Sequence, residues 1–321
     1  MGYPRTRFAR WRYALKPASW PKLFVPATVG QALGVVQLGR VDLAAALVGF
    51  ALTFLLLAFI VLLNDWADRE VDALKRRRFP DGCSPKTIPD GILPARAVLG
   101  GGLAAGALAL SLAAFAQGWL NRPLLLGAVA GCLLLFAGYS LPPLRLNYRG
   151  GGELLEMLGV GGALPWTMAY VQGGLGVEGY LWLPRAGAVL PGLMLLALAS
   201  AVASGLSDEV SDREGGKTTL ATSLGNAFAR RLTELSVALG ALAWIVAGLV
   251  SSEVPAVVAV VAAAVVLYRL RRVVALSAAA VTNAFRAQAA YKAALHAAIW
   301  DGGRALALLL VLHRLWLATA S

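Results

Sequence analysis

Charge is scarce in this chain. Asp, Glu, Lys and Arg make up 14% of its 321 residues, where a soluble domain carries about 25%. So little charge cannot solvate the surface of an ordinary globule, so most of the chain must face lipid or other buried helices. A polar linker is missing too. Apolar runs extend from one end to the other, and residues 1–321 read as a single membrane domain. Cysteine is nearly absent: Cys83 in a polar loop and Cys132 in an apolar run exclude a disulfide framework and read as unpaired thiols. Histidine is as rare. His296 and His313 have no metal-ligand partner at helical spacing, and both read as non-catalytic. The basic N-terminus lacks the short apolar region and small-residue cleavage site of a signal peptide, so the first apolar segment reads as a retained helix.

What the chain has in quantity is apolar sequence, 59% of all residues. A spanning helix needs about 20 of them in a row. Nine segments are candidates, at about 22–39, 44–63, 97–117, 123–141, 153–172, 187–207, 232–251, 254–270 and 303–319. The eighth is short, and the ninth contains His313 and Arg314. Ala, Gly and Leu dominate, which permits close helix contact. The stretch 282–299 reads as amphipathic and is expected on the membrane surface. The N-terminus and the loops after even-numbered segments hold 25 of the 29 Lys and Arg; only Arg40, Arg122, Arg185 and Arg314 fall on the other side. The positive-inside rule then makes the basic side cytoplasmic. The expected place is a cell membrane, a bacterial inner membrane, crossed several times with the N-terminus in the cytoplasm. The net charge of +12 is thereby explained without nucleic acid, and some of it is left for an anionic substrate or a lipid surface.

The few acids are concentrated. The second segment ends in Asn64-Asp65-Trp66-Ala67-Asp68-Arg69-Glu70-Val71-Asp72, with Asn64, Asp68 and Asp72 at i, i+4 and i+8, one face of a helix. The sixth ends in Ser207-Asp208-Glu209-Val210-Ser211-Asp212, with Asp208 and Asp212 again at i, i+4. Acids at a helix C-terminus oppose the helix dipole, and a bound divalent cation would offset that. Oxygen donors without nearby His or Cys suit magnesium rather than zinc, and magnesium takes one or two carboxylates plus substrate phosphates. The alternation of sides puts both clusters on one face, where they would clamp a diphosphate. Basic residues follow each: Lys75, Arg76, Arg77, Arg78 and Lys86 after the first, Arg213 and Lys217 after the second. These are candidates for phosphate oxygens; for the run 75–78 an anchor at the lipid surface is the alternative.

These residues resemble the UbiA superfamily of intramembrane prenyltransferases. The motif NxxxDxxxD is matched by Asn64, Asp68 and Asp72, and DxxxD by Asp208 and Asp212. The family's basic-Pro-x-x-Trp opening is matched by Lys16-Pro17-Ala18-Ser19-Trp20. Its RPxxxG loop is loosely matched by Lys86-Thr87-Ile88-Pro89-Asp90-Gly91, with Lys for Arg and a displaced Pro. Two further stretches look like the 1,4-dihydroxy-2-naphthoate prenyltransferases of menaquinone synthesis: Tyr139-Ser140-Leu141-Pro142-Pro143-Leu144-Arg145-Leu146 running on to Glu153, and Asp208 to Ala221 through Gly215-Gly216-Lys217. Arg69-Glu70-Val71-Asp72 reads more like the general family.

The resemblance implies an all-α membrane protein of about nine transmembrane helices in a UbiA-like bundle, with a cytoplasmic-side active site. It also implies transfer of a prenyl group from a prenyl diphosphate to a small aromatic acceptor. Magnesium at Asn64, Asp68, Asp72, Asp208 and Asp212 would neutralise the diphosphate leaving group, and an apolar cavity would keep water from the allylic cation. The catalytic set is then Asp68, Asp72, Asp208 and Asp212, with Tyr139 turning its ring to the cation and Glu153 orienting the acceptor. Core packing is the alternative for Tyr139, and depth near the interface for Glu153 and Glu156. Substrate contacts are expected from Lys16, Asn64, Asp65, Lys75, Lys86, Arg145, Asn147, Glu156, Arg213 and Lys217. Other acceptors stay open: 4-hydroxybenzoate, a porphyrin, a carotenoid or a lipid alcohol. Two other classes fit less well. A CDP-alcohol phosphotransferase needs a DGxxAR-type array, which Asp81-Gly82-Cys83-Ser84 breaks. A transporter would show two similar halves with helices broken at mid-membrane.

Overall fold

The computed structural model of the chain describes residues 4, 6–80, 86–174 and 186–320. Arg5, Asp81-Gly82-Cys83-Ser84 and Arg185, which entered the sequence reading, lie outside the described residues. Among the described residues every regular element is helical, and the one departure is an isolated bridge between Arg149 and Thr218.

A short helix α1 (Arg7–Ala14) precedes α2 (Pro21–Leu38). Thr6 caps α1 by accepting from the Ala9 N–H at 3.1 Å. Asp42 does the same for α3 (Leu43–Ala67), accepting from Ala45 N–H at 3.0 Å; both caps satisfy N–H groups that a helix start leaves unpaired. Then follow α4 (Arg69–Arg78), α5 (Ala95–Trp119), α6 (Leu125–Ser140) and the single turn α7 (Leu146–Arg149). The next span is one helical rod in three parts: α8 (Gly152–Leu158), a π turn at Gly159–Ala163, and α9 (Leu164–Gly173). The chain ends with α10 (Leu190–Leu206), the short α11 (Glu209–Glu214) and α12 (Leu220–Leu224), and the long α13 (Asn226–Val250), α14 (Ala256–Ser277) and α15 (Phe285–Ala320).

Six helical stretches among the described residues are long and apolar enough to cross a membrane: 43–67, 95–119, 152–173, 187–206, 226–250 and 285–319. Helices α2, α6 and α14 stand at the other three expected positions. Helix α6 has only 16 residues, and α14 carries Arg269, Arg271 and Arg272 in its second half. One expectation is corrected. Residues 282–299 do not form a separate surface helix; from Phe285 on they belong to the first half of α15, with Tyr291, Leu295 and Ala298 fully buried. The polar positions that suggested a surface helix face inward partners instead. Gln288 donates to Leu206 O at 3.0 Å, and His296 lies 3.3 Å from Ser200 Oγ.

Among the described residues the interior has a small apolar core around Ala14, Leu62, Ile92 and Val98 and two large ones. One is built from α10, α13, α14 and α15 around Trp244, which is fully buried and donates to Val189 O at 3.2 Å. The other is built from α3, α5, α6 and α9. Helix α2 contributes to both, and small residues let it do so. A Cβ on Gly30 would stand 2.2 Å from Pro165 O, and one on Gly34 would stand 2.6 Å from Ala169 O. The Gly30-x-x-x-Gly34 spacing thus brings the backbones of α2 and α9 together. The same close approach recurs between α10 and α13, where a Cβ on Gly192 would meet Gly240 O at 2.8 Å.

Candidate active site

Both acidic motifs stand at a helix break, on the end of the bundle where α3 and α10 finish. Asp68 is the residue between α3 and α4, and Asp208 precedes α11. Backbone bonds carry the helical register across each break: Asp72 N–H donates to Asp68 O at 2.8 Å, and Asp212 N–H to Asp208 O at 2.7 Å. This corrects the dipole argument. Asp72 and Asp212 lie in the first turn of α4 and α11, where an acid is favoured by the helix dipole rather than opposed.

The two motifs are locked to each other by lysines. Lys75, on the helix of the first motif, pairs with Asp208 of the second and also donates to Ser207 O at 2.6 Å. Lys217, which follows the second motif, donates to Asp68 of the first at 2.6 Å and lies 3.8 Å from Asp212. Two further lysines stay on the first motif's side: Lys16 pairs with Asp65, and Lys86 pairs with Asp72. Thr87 Oγ1 donates to Asp65 at 2.6 Å, and Asn147 Nδ2 to Asp68 at 3.3 Å. Asn64 accepts from Ser140 Oγ at 3.2 Å. The loop that carries Lys86 is itself anchored, because Asp90 accepts from Tyr13 Oη at 2.8 Å, Arg76 at 2.8 Å and Lys86 N–H at 3.0 Å.

Crowding so many buried charges moves their protonation. Burial raises the Asp212 carboxyl to about 7; Lys217 opposes the rise, and the Asp208 and Asp68 carboxylates add to it. Burial also raises Asp72, despite Lys86. Asp208 moves the other way, since Lys75 and Lys86 outweigh burial and hold it well below the usual carboxylate range. Lys217 and Lys86 are held charged against burial by the acids around them.

These groups open on a cavity of about 280 Å³ between the cores. Asn64, Asp65, Asp68, Asp208, Asp212, Lys16 and Lys217 line its polar end, and Leu23, Leu57, Ile60, Val61, Phe136 and Val160 its apolar end. Tyr139, Asn147, Glu153 and Glu156 line it too. Asp72, Lys75 and Lys86 stand behind the rim, reaching the cavity through their ion-pair partners.

Two expected contacts are placed elsewhere, and a third is already engaged by backbone. Arg213 is 61% exposed and pairs with Glu209 at 3.2 Å; it is no part of the cavity, because the turn of α11 points it outward. Arg145 lies 3.6 Å over the Tyr148 ring and donates to Ala67 O at 3.2 Å, so it joins α7 to the end of α3. Glu153 lines the cavity, but its carboxylate accepts from Leu220 N–H at 2.8 Å and so fixes the start of α12. Residues that the sequence reading did not single out also line the site. Lys22 pairs with Glu156 at 2.6 Å, and Ser19, Ser204 and Thr219 join the wall. Lys22 was legible only as one more interfacial cation. Its spacing from Lys16 carries no motif.

Oxygen donors alone face each other here, which suits a hard cation. Among the described residues no three acids, histidines or cysteines converge into a ready cage. Magnesium takes one or two carboxylates and keeps places for water and substrate phosphates.

No curated protein matches the chain. Among solved structures, a UbiA homologue from Archaeoglobus fulgidus bound to DMAPP and Mg2+ matches with a TM-score of 0.65 at 18% identity, over 90% of this chain and 99% of that one. The apo UbiA homologue from Aeropyrum pernix K1 matches with a TM-score of 0.64 at 18% identity, over 86% and 96%. A digeranylgeranylglyceryl phosphate synthase matches at 0.61 and 13% identity, over 95% and 98%. These likenesses establish the fold. The model of the UbiA prenyltransferase family matches residues 23–296, a span that runs from α2 into α15 and contains both aspartate breaks and every lysine that locks them except Lys16; the chain belongs to the UbiA prenyltransferase family.

Proposed function

We propose that this prenyltransferase takes its prenyl group from a prenyl diphosphate and passes it to a small aromatic acceptor of the quinone-precursor kind, such as 1,4-dihydroxy-2-naphthoate. The observation that carries the reading is the crossed pairing of Lys75 with Asp208 and Lys217 with Asp68, beside an apolar cavity. Each lysine is buried and next to a carboxylate. A diphosphate entering between the motifs offers these lysines better partners, since phosphate oxygens form strong charge-assisted bonds. Asn64, Asp68 and Asp72 on one side and Asp208 and Asp212 on the other would hold magnesium, which when bound neutralises the departing diphosphate.

The chain's own residues do the rest. Lys16, Lys75, Lys86 and Lys217 receive diphosphate oxygens and fix the leaving group at the polar end. The apolar wall of Leu57, Ile60, Val61 and Phe136 receives the prenyl tail and keeps water from the allylic cation. Tyr139 offers a ring beside the reacting carbon. Lys22 and Glu156, paired in the cavity wall, offer a cation and a hydrogen-bond acceptor to an acidic, hydroxylated aromatic ring. The aspartate end faces the cytoplasm, as the charge distribution favours.

The test is prenyl transfer by purified protein with geranyl diphosphate, magnesium and a panel of acceptors. Asp68→Ala and Asp208→Ala should each lower activity by at least a hundredfold, the order expected when a charge-stabilising group is removed, while the protein stays folded. Normal activity in either variant overturns the two-motif site. Absence of transfer to dihydroxynaphthoate, with transfer to another acceptor, sinks the acceptor alone.

A further inference from the structure

A second polar cavity, of about 740 Å³, lies outside the reaction site, between α14 and α15. One wall is Tyr268, Arg269, Arg271 and Arg272; the other is a row of alanines between positions 290 and 297, including Ala293 and Ala297. Small side chains on α15 leave the groove open, and arginines on α14 set its charge. The local balance is one-sided. Residues 256–320 contain seven Lys and Arg and a single acid, Asp301. Asp301 is already engaged by Arg269 at 2.5 Å and Arg304 at 3.1 Å. Arg271 and Arg272 are exposed and have no acid left to meet in this stretch.

The position selects the occupant. The groove lies toward the aspartate end of the bundle, where Gln288 of α15 meets the last turn of α10. Below it α14 exposes Val257, Val261 and Tyr268 at 67%, 42% and 73%, in a stripe at helical spacing that leads up to the arginines. From residue 257 to 271 the stripe runs about 21 Å at 1.5 Å per residue, more than the roughly 15 Å half-thickness of a bilayer's hydrocarbon. An occupant therefore needs an anionic head for the arginines and an apolar tail for the stripe. A zwitterionic lipid would bring its own cation against unpaired arginines.

We propose that the groove between α14 and α15 binds an anionic phospholipid, with its phosphate at Arg271 and Arg272 and one acyl chain along Val257, Val261 and Tyr268. Basic pockets between membrane helices hold such headgroups, and this one is independent of the reaction. Native mass spectrometry of the full chain in neutral detergent tests it, with phosphatidylglycerol and phosphatidylcholine offered at equal concentration. Phosphatidylglycerol should stay bound and phosphatidylcholine should not. Arg271→Gln with Arg272→Gln should weaken phosphatidylglycerol by about thirtyfold, roughly fivefold per arginine, and Arg271→Lys with Arg272→Lys should keep it. Ala293→Leu with Ala297→Leu fills the groove, leaves every charge in place, and should also lose the lipid. Equal retention of the two lipids, unchanged binding in either the glutamine or the leucine variant, or displacement by an equal concentration of glycerol 3-phosphate would each overturn the proposal.

Discussion

At the scale of single residues the site is a set of carboxylates already matched by lysines. Asp65, Asp68, Asp72 and Asp208 each have a lysine within ion-pair distance, and Asp212 shares Lys217. Buried charges left alone would cost several kcal/mol each, so the lysines let five acids fold into a small volume without a metal. They also compete with one. A cation approaching Asp68 and Asp212 must displace Lys217, and the freed ammonium is then placed for phosphate. Two opposite effects follow for Lys217→Met. KM for the prenyl diphosphate should rise by about ten- to a hundredfold, because a charge-assisted bond of about 1.5–3 kcal/mol is lost. Magnesium affinity without substrate should rise or hold, because the competitor is gone. Enzyme kinetics and calorimetric magnesium titration read the two effects separately. Weaker magnesium binding in Lys217→Met would rule out the competition.

At the scale of elements, most of the bundle was legible and the joints were not. Runs of about 20 apolar residues located the six helical stretches long and apolar enough to cross a membrane, and α2, α6 and α14 beside them, because burial in lipid leaves its mark on composition. Boundaries failed where hydropathy and helicity part. Helix α14 continues through Arg269, Arg271 and Arg272 to Ser277, since arginine is a good helix former and only lipid rejects it. Helix α15 begins at Phe285 rather than near 303, because the Ala-rich stretch 285–301 has neither Pro nor Gly to stop it. The aspartate pairs were legible from their i, i+4 spacing. Their lysine partners were not, since Lys75 and Lys217 lie 133 and 149 residues from the acids they meet and no local pattern spans that. Glycine was legible as a composition but not as a contact. Gly30→Ala should make this concrete. Its Cβ meets the backbone oxygen of Pro165 at 2.2 Å, and backbone cannot turn aside as a side chain does. A loss of about 1–3 kcal/mol is expected for such overpacking, read as a lower thermal midpoint in detergent. Gly100→Ala, whose Cβ would meet nothing within 4 Å, should be neutral or slightly stabilising. A neutral Gly30→Ala would mean that α2 and α9 can separate freely.

At the scale of the whole molecule, charge sorts the two ends of the bundle. The lysine and aspartate network gathers where α3 and α10 finish. The opposite end holds few cations. Arg122 donates to Val171 O at 3.1 Å and Gln172 O at 3.3 Å, and Arg314 lies against Gly39, where an added Cβ would stand 2.9 Å from its guanidinium. Such a distribution predicts how the molecule inserts, because basic loops resist translocation. In a background with Cys83 and Cys132 replaced by Ser, Arg213→Cys marks the aspartate end at an exposed position, and Arg40→Cys marks the other. A membrane-impermeant maleimide added to intact cells should label position 40 and leave position 213 unlabelled until the cells are opened. The reverse pattern would put the aspartates outside, away from any cytoplasmic supply of diphosphate, and would require the substrate to arrive from the other face. Label at both positions in intact cells would mean a leaky preparation or an even number of crossings between them, and counting crossings with further cysteines between α3 and α10 distinguishes these two outcomes.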